Sequence, residues 1–310
     1  MRSSMPSSPT SRQNGLESYE MRALEALTSL YASLRNLGLD DVGRESEILI
    51  TEGLKLERVS LYRENPELSP SQMDTLSGIL IRRGEREPLQ YILGHVDFYG
   101  IDIRVGTGVL IPRPETEFLV EASIKSAFSQ KSTTGEPVHI LDLCTGSGCV
   151  ALAIGKHLPS AVVYATDISD KALSYAYENR KRNGIGNVTF LKGDLYEPVD
   201  GQEFDLIVSN PPYVKSNDMN LLQPEIIDWE PREALDGGKD GMVFYRRILP
   251  LAGRCLKEGG AIFVEIGQGG AYEVIEIAIS SGFSCEQIVT DYAGIQRVLS
   301  FRMRKRSAAA

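Results

Sequence analysis

The stretch that decides the fold is ILDLCTGSG, residues 140–148. Its apolar start predicts a buried strand, and it ends in a turn where Gly146 and Gly148 let a ligand approach the backbone closely. The small residues that follow, CVALAI at 149–154, predict a helix whose first N–H groups are free to bind that ligand. A strand, a glycine-rich turn and a helix in this order are typical of an open, mostly parallel α/β sheet.

The glycine turn alone does not identify the ligand. A third glycine would complete the dinucleotide-binding spacing, but Ala151 stands in that position. No Gly-Lys-Ser/Thr follows, so the turn is not a phosphate-binding loop either. The ligand must therefore be inferred from the strands that come next.

The next two predicted strands each lead to an acidic residue. Residues 161–166 are apolar and end at Asp167, about 20 residues after the glycines, where a carboxylate can accept both hydroxyls of a ribose. The alternative is that Asp167 caps a helix that begins near Ser169. The strand after it leads to Asp194, which is placed to accept a hydrogen bond from an adenine amino group, with Leu195 against the ring.

A fourth predicted strand, residues 204–209, runs into the tetrapeptide Asn210-Pro211-Pro212-Tyr213. Two consecutive prolines have no N–H for a β-ladder, so the strand ends here, at the edge where open α/β sheets bind ligands. The side-chain oxygen of Asn210 and the carbonyl of Pro211 can accept both hydrogen bonds of one NH2 group, and Tyr213 can cover its flat face. The tetrapeptide therefore predicts a binding site for a planar, weakly nucleophilic nitrogen. Asn-Pro-Pro alone would favour an ordinary Pro-rich end of a strand.

These motifs together resemble the class I S-adenosylmethionine-dependent methyltransferases, and the tetrapeptide resembles that of the subgroup that methylates amide or exocyclic amino nitrogens. Segments at 87–100, 110–117 and 230–241 are similar to those of one family, the PrmC/HemK glutamine-N5 methyltransferases of peptide chain release factors. The resemblance extends over residues 20–302, nearly the whole chain. It departs from the general class at Cys144, where the class has glycine. Although a Cβ atom narrows the range of φ there, we expect the turn to keep its shape.

The resemblance implies the fold class, a Rossmann-like α/β domain with a seven-stranded mixed sheet, helices on both faces and an antiparallel last strand. It adds a small N-terminal helical bundle and a linking β-hairpin. In the carboxyl-terminal half, the alternation of apolar segments predicts helices at 242–256 and 271–280, strands at 261–266, 284–290 and 296–302, and a hairpin turn at 291–294.

The family implies S-adenosyl-L-methionine as methyl donor, S-adenosyl-L-homocysteine as product, and no metal. The residues expected to bind the donor lie in the glycine turn and at the strand ends: Asp142, Cys144, Thr145, Gly146, Ser147, Gly148, Asp167, Ile168, Asp194, Leu195 and Asn210. The residues expected to be catalytic are Asn210, Pro211, Pro212 and Tyr213. An amide nitrogen attacks a methyl group poorly, because its lone pair is delocalised. Two acceptors can orient that lone pair and stabilise the positive charge that develops.

Arg113, Glu115 and Glu117 precede the sheet, and the family implies that they line the substrate pocket. Alternatively, Pro114 is the first residue of a helix, and the two glutamates are stabilising in its first turn. Both interpretations of Glu115 remain open. The prolines on either side of Arg113 fix its backbone and favour a site role.

The predicted domain organisation has five parts. Residues 1–16 form a Ser/Pro-rich disordered tail or a weak targeting segment, 17–86 a helical substrate-docking domain, 87–110 a β-hairpin linker, 111–302 the catalytic domain, and 303–310 a basic tail.

Local patterns detail these parts. In the helical domain, Leu24, Leu27, Tyr31 and Leu34 form an apolar stripe that Gly38 terminates. Residues 69–72 form a capping box with proline at the first helical position, and Gly84 closes that helix. The hairpin is expected at 89–105, and the Ser/Thr/Gly/Pro stretch at 130–137 is expected to be a loop.

Composition limits the function classes and partners. With 42% hydrophobic and 24% charged residues, the 310-residue chain is typical of a soluble globular protein, and no apolar run is long enough for a transmembrane helix. Four cysteines without a C-x-x-C pair and three histidines predict neither a disulfide framework nor a zinc site. We expect the cysteines to be reduced, as in a cytoplasmic protein. A net charge of −9 without a basic domain argues against direct DNA binding, and we expect a monomer.

The sequence therefore predicts an enzyme that methylates N5 of the glutamine in the Gly-Gly-Gln motif of peptide chain release factors. Two alternatives remain. A sister class with the same tetrapeptide methylates a glutamine of a ribosomal protein, and other enzymes with this tetrapeptide methylate an amino group of a nucleic-acid base. A donor-binding regulatory module without activity would leave the tetrapeptide unexplained.

Overall fold

A computed structural model describes residues 21–39, 41–134 and 136–304 of the protein. The predicted tail at 1–16 lies outside these residues, and so does all but the first two positions of the predicted tail at 303–310. Contacts within the chain separate two compact units, which are described in turn.

The first unit, which ends at Gly84, is a small helical bundle. Its helices are α1 (Ala23–Asn36), α2 (Val42–Thr51), α3 (Arg58–Arg63) and α4 (Pro70–Gly84). The buried face of α1 consists of Ala23, Ala26, Leu30 and Leu34. The predicted stripe was therefore wrong by one position over most of its length, because two alanines face the core and Tyr31 is 41% exposed.

The helix-end signals in this unit are confirmed. Gly38, two residues after α1, has a left-handed backbone with φ +67°, which terminates the helix. At the start of α4, the Gln72 N–H donates to Ser69 Oγ at 3.2 Å, and the Ser69 N–H donates to Gln72 Oε1 at 2.9 Å. Pro70 is the first residue of α4, and the helix ends at Gly84 as predicted.

The second unit begins with a helix that the sequence analysis missed. α5 (Leu89–Leu93) precedes the predicted hairpin, whose strands are β1 (His95–Phe98) and β2 (Ile101–Arg104). The hairpin is thus confirmed, but the first five residues assigned to it are helical. The local cause is Pro88 before the helix and left-handed Gly94 after it, since proline favours helix starts and glycine favours helix ends.

The rest of the second unit is built on a seven-stranded sheet. Its strands are β3 (His139–Leu143), β4 (Val162–Asp167), β5 (Val188–Lys192), β6 (Phe204–Ser209), β7 (Leu256–Glu265), β8 (Phe283–Thr290) and β9 (Gln296–Met303). They lie in the order β5-β4-β3-β6-β7-β9-β8, with parallel pairing from β5 to β7 and β9 antiparallel to both its neighbours. The predicted mixed sheet with an antiparallel last strand is confirmed.

Six helices of the second unit follow the hairpin in the described residues. They are α6 (Glu117–Thr134), α7 (Cys149–His157), α8 (Asp170–Arg182), α9 (Pro224–Trp229), α10 (Val243–Cys255) and α11 (Ala271–Ser280). The predicted loop at 130–137 was wrong, because α6 continues through Thr134. Serine and threonine each weaken a helix by only a few tenths of a kcal/mol, and the first glycine of the segment is Gly135.

Helices cover both faces of the sheet. Because successive strand residues point to opposite sides, Ile140 packs in the cluster under α6, α7 and α8, whereas Leu141 packs in the cluster under α10 and α11. The carboxyl ends of β3 to β7 meet along one edge, which positions the residues that follow them. Within the described part of the chain, no helix is both long and apolar enough to cross a bilayer.

Candidate active site

The carboxyl ends of β3, β4, β5 and β6 surround an open cleft of about 740 Å³. This main cleft brings together predicted residues from all four strand ends: Cys144, Gly146, Asp167, Ile168, Asp194, Leu195, Asn210 and Pro212. A smaller side pocket of about 390 Å³ shares part of this lining and adds Arg113, Asp142, Thr145 and Ser147. The two cavities therefore collect most of the predicted site.

Asn210 stands directly after β6 and lines both cavities. Its side-chain Nδ2 donates to Thr116 Oγ1 at 3.1 Å. This bond orients the amide and leaves Oδ1 as the atom that can accept from a ligand. Pro212 lines the main cleft, and Pro211 is buried next to it in the chain.

Tyr213 is held by a carboxylate and by glycines that let the backbone approach it. Its hydroxyl donates to Glu265 Oε1 at 3.3 Å, and burial, together with the charge of Glu265, raises the pKa of Tyr213. A Cβ atom on Gly267 would lie 2.9 Å from the Tyr213 ring. A Cβ atom on Gly237 would lie 2.7 Å from its Cα, and one on Gly241 would lie 2.5 Å from its backbone oxygen. The tyrosine is thus fixed in position.

The glycine turn has the shape that the sequence predicts. Cys144, Gly146 and Gly148 have φ angles of +60°, +57° and +80°. The turn therefore accommodates the Cβ atom of Cys144, in a backbone region that non-glycine residues rarely adopt. Asp142 in β3 accepts a hydrogen bond from Thr145 Oγ1 at 2.6 Å, which ties the turn to the strand. Burial raises the pKa of Asp142 to about 7.

Ser147 and Gly148 differ in their relation to the cavities. Ser147 lines the side pocket, and its carbonyl accepts from Asn179 Nδ2 at 3.0 Å. Gly148 lines neither cavity. A Cβ atom on Gly148 would lie 2.9 Å from the Phe190 ring, so this glycine allows α7 to pack closely against the sheet.

Asp167 ends β4 and lines the main cleft. Its Oδ2 accepts from the Gly146 N–H at 2.8 Å, and its Oδ1 accepts from the Ser169 N–H at 2.9 Å. The alternative role as a helix cap was wrong, because the N-cap of α8 is Ser169, whose Oγ accepts from the Ala172 N–H. Each carboxylate oxygen of Asp167 keeps a second lone pair for a ligand hydroxyl. Ile168, beside it, is 65% exposed.

Asp194 follows β5 and pairs with a residue of α10. Its Oδ2 accepts from Arg247 Nη2 at 2.5 Å, and the Arg247 guanidinium lies 5.9 Å from the centre of the Phe244 ring. Phe244 and the buried Leu195 both line the main cleft. One carboxylate beside two apolar side chains suits a flat ring that carries an amino group.

The three predicted pocket residues around the start of α6, Arg113, Glu115 and Glu117, separate into two groups. Arg113 lines the side pocket, and its Nη2 pairs with the buried Glu230 Oε1 at 2.5 Å. Glu115 and Glu117 line a separate surface groove. Pro114 begins a short 3₁₀ turn that leads into α6, which agrees with the helix-start interpretation of both glutamates. Their role in a substrate pocket stays a prediction.

Two family models match parts of the chain. The PrmC N-terminal domain matches residues 25–94, and the Methyltransferase small domain matches residues 126–250. A protein of Thermodesulfovibrio yellowstonii named release factor glutamine methyltransferase is 49% identical over 262 residues, which cover 84% of this chain and 93% of the relative. This chain belongs to the release factor glutamine methyltransferase family.

A second relative agrees with this family, and a solved structure agrees with the fold. A protein of the same name from Geobacter sulfurreducens is 42% identical over 271 residues, covering 87% of this chain and 93% of the relative. Among solved structures, the hMettl16 catalytic domain in complex with the MAT2A 3′UTR hairpin 6 has a TM-score of 0.53 at 15% identity, covering 80% of this chain and 88% of that one. At this identity the likeness shows the fold alone.

The sequence analysis missed four residues of the site in this family member: Thr116, Glu230, Phe244 and Glu265. Thr116 and Glu265 contact the tetrapeptide, and Glu230 accepts from the Ile111 N–H at 3.0 Å as well as from Arg113. Glu265 has a sequence signal, because it ends an apolar strand as Asp167 does. Thr116 has none, since it lies 94 residues from Asn210 in the chain.

Proposed function

We propose that this protein transfers a methyl group from S-adenosyl-L-methionine to the side-chain amide nitrogen, N5, of the glutamine in the Gly-Gly-Gln motif of peptide chain release factors. The observation that carries the proposal is the orientation of Asn210. Its Nδ2 is held by Thr116, so its Oδ1 is free to accept at the point where the main cleft meets the side pocket. The names of the relatives support the choice of substrate.

The residues of the main cleft fit the methyl donor. Asp167 retains lone pairs for the two ribose hydroxyls, and Asp194 offers a carboxylate to the adenine amino group. Leu195 and Phe244 supply the apolar walls that an adenine ring needs. Gly146 lines the cleft and has no side chain. No protein atom lies within 4 Å of the position that a Cβ atom would take there, so the donor has room beside the backbone. When bound, the donor supplies an electrophilic methyl carbon on a sulfonium.

The tetrapeptide prepares the acceptor nitrogen. Asn210 Oδ1 and the Pro211 carbonyl accept the two N–H bonds of the glutamine amide, and Tyr213 covers the amide plane. Their partial negative charges stabilise the positive charge that grows on the nitrogen as the N–C bond forms and the C–S bond breaks. The electron pair of the broken C–S bond stays on sulfur, which leaves as S-adenosyl-L-homocysteine, and the nitrogen releases one proton to solvent, which restores a neutral amide. Holding the two reactants in line lowers the activation free energy by up to about 7–11 kcal/mol.

Two further parts of the chain complete the proposal. Arg113 lines the side pocket beside Asn210, where its guanidinium can bind carbonyl oxygens of the substrate loop. Glu230 holds it there, so the segments at 110–117 and 230–241 act together.

The helical unit that ends at Gly84 is proposed to dock the protein substrate, as predicted from its fusion to a methyltransferase.

The test uses methyl-labelled S-adenosylmethionine and four separate acceptors: a purified release factor, its Gly-Gly-Gln→Gly-Gly-Ala variant, ribosomal large-subunit protein and DNA. We expect label on the release factor and none on the variant. Label on the ribosomal protein or DNA would overturn the substrate assignment while keeping the donor site. Donor binding without transfer to any acceptor would indicate a regulatory module instead.

A further inference from the structure

A buried carboxylate lies behind the tetrapeptide. Glu265 is the last residue of β7, and it is 2% exposed. Because β7 runs parallel to β6 with Val264 opposite Ser209, Glu265 stands beside Asn210 at the same edge of the sheet. Glu265 lines neither the main cleft nor the side pocket. Any effect of this carboxylate on chemistry must therefore pass through its neighbours.

Two hydroxyl groups connect Glu265 with the tetrapeptide. The Tyr213 hydroxyl donates to Glu265 Oε1 at 3.3 Å. The Thr116 hydroxyl accepts from Asn210 Nδ2 at 3.1 Å. The same hydroxyl faces Glu265, where a hydrogen bond from it lowers the pKa of the carboxyl. A hydroxyl has one hydrogen to donate. When Thr116 donates it in a hydrogen bond to the carboxylate, a lone pair of the Thr116 oxygen faces Asn210. This arrangement holds the amide with Nδ2 inward and Oδ1 toward the ligand.

The environment of Glu265 makes its charge costly. Its Oε2 has no hydrogen-bond partner among the described residues. Burial raises the pKa of Glu265 to about 7, against the hydrogen bonds from Thr116 and Tyr213, which lower it. The other ionisable groups that act on this site are Glu115, Arg297, Tyr245 and Cys149. A hydrophobic residue at this position would avoid the cost of burying a charge, so the carboxylate indicates a functional role.

We propose that Glu265 is a positioning residue for methyl transfer: through Thr116 and Tyr213 it holds the Asn210 amide oxygen and the tyrosine ring in the orientation that receives the substrate amide. This inference rests on the proposed function, because it assigns a role within that reaction. When Glu265 is protonated, it becomes a weaker acceptor for the hydrogen bond from the Thr116 hydroxyl. The Thr116 hydroxyl can then donate to Asn210 Oδ1, and the amide can turn over.

The first test compares two substitutions of Thr116. Thr116→Val keeps the shape of the side chain and removes the hydroxyl, whereas Thr116→Ser keeps the hydroxyl. We expect Thr116→Val to lower kcat about 10- to 100-fold, with KM for the release factor and Kd for the donor within about twofold. Thr116→Ser should restore kcat to within about threefold of the unsubstituted enzyme. Equal effects of the two substitutions, or a normal kcat in Thr116→Val, would overturn the proposal.

The second test uses Glu265→Gln and pH. In the unsubstituted enzyme, kcat should rise with pH through about 7, and Glu265→Gln should abolish that rise. A purely structural role would lower the melting temperature of Glu265→Gln and leave the pH profile in place. A profile that persists in the variant would therefore contradict the assignment.

A third measurement does not depend on activity. The side-chain amide signals of Asn210 in ¹⁵N NMR spectra, assigned by their loss in Asn210→Ala, should titrate near pH 7 in the donor-free protein and stop titrating in Thr116→Val. If the unsubstituted enzyme labels no release factor, the proposed function fails, but this titration still decides the positioning role. An Asn210 signal that does not change with pH would overturn it.

Discussion

At the scale of single residues, Asn210 is the centre of the proposed chemistry. Removing its amide in Asn210→Ala deletes one of the two acceptors that stabilise the transition state, so kcat should fall about 10²- to 10³-fold. The Kd of the donor should change much less, because Asp167 and Asp194 remain. Steady-state transfer of labelled methyl groups and titration calorimetry of the donor would measure both. Turnover close to normal in this variant would rule out the proposed role of Asn210 as an acceptor for the substrate amide.

Asp167 allows a second prediction at this scale. Asp167→Asn removes the charge that receives the ribose hydroxyls, and we expect the Kd of the donor to rise about 10- to 100-fold. The matched control is Asp170→Asn, the same chemical change in the first turn of α8, where Asp170 pairs with Lys192 outside the main cleft. The control should lower the free energy of unfolding by at most about 1 kcal/mol and leave the donor Kd within about twofold. The opposite pattern in the two variants would show that Asp167 serves only the helix start.

The residue scale also shows what a sequence can reveal about a site. Asn210, Asp167 and the glycine turn were predictable because each follows an apolar strand, and parallel strands bring their carboxyl ends to one edge. Thr116 was not, since only the fold places it against Asn210, 94 residues later in the chain. Glu265 follows the same strand-end pattern as Asp167, so its place was predictable but its link to Tyr213 was not.

At the scale of elements, the segment 235–241 fixes the exit of β6. Its Gly237 N–H donates to the Val214 carbonyl at 2.8 Å, and a Cβ atom on Gly237 would lie 2.8 Å from the Pro212 carbonyl oxygen. Gly237→Ala must therefore move the backbone of the tetrapeptide. We expect kcat to fall at least about tenfold, because misplacing a catalytic group by a fraction of an ångström is costly.

The control for this prediction is Gly186→Ala. Gly186 also has an ordinary φ, but an added Cβ atom there would meet nothing within 4 Å. Methyl transfer by this variant should match that of the unsubstituted enzyme. If both alanine variants transfer methyl groups at the normal rate, the glycine has no part in positioning the tetrapeptide.

The errors in element prediction have local causes. Residues 89–93 lie inside the predicted hairpin, but Pro88 and Gly94 mark the start and the end of one short helix there. The residues at 130–134 look like a loop by composition, yet α6 continues through them. Ser129 shows how a hydroxyl residue is tolerated in this helix, because its Oγ donates to the Lys125 carbonyl at 3.2 Å, four residues earlier. Composition alone does not end a helix that packs on a sheet.

At the scale of the whole molecule, the alternation of strands and helices predicts a parallel sheet, but it does not predict the strand order. The antiparallel last strand followed from the family resemblance, and the structure confirms it. The strand order is known from the structure alone. The compact units separate between Gly84 and Glu85, and the hairpin belongs to the second unit. The docking role of the helical unit stays a prediction, since composition and burial say nothing about its partner.

The whole molecule should also lose stability as the pH rises toward neutrality, because of Glu265. Its pKa is raised from 4.5 to about 7 by burial, so the folded state holds its proton more tightly than the unfolded state does. The stabilisation from this proton is complete below about pH 4.5 and is lost as the pH rises through about 7. Glu265→Gln carries no such proton. The melting temperature of the variant minus that of the unsubstituted protein should therefore increase across this range.

The expected increase is about 4–12 °C, for a change of about 2–3 kcal/mol, and it should level off above neutrality. Melting curves of both proteins at pH 5, 6, 7 and 8 would measure it. Gly186→Ala removes no ionisable group, and its added Cβ atom meets nothing within 4 Å. It serves as the control, and its difference should stay constant. A difference for Glu265→Gln that shrinks with rising pH would mean that the carboxylate is stabilised in the fold. The cost that we assign to the buried charge of Glu265 would then not exist.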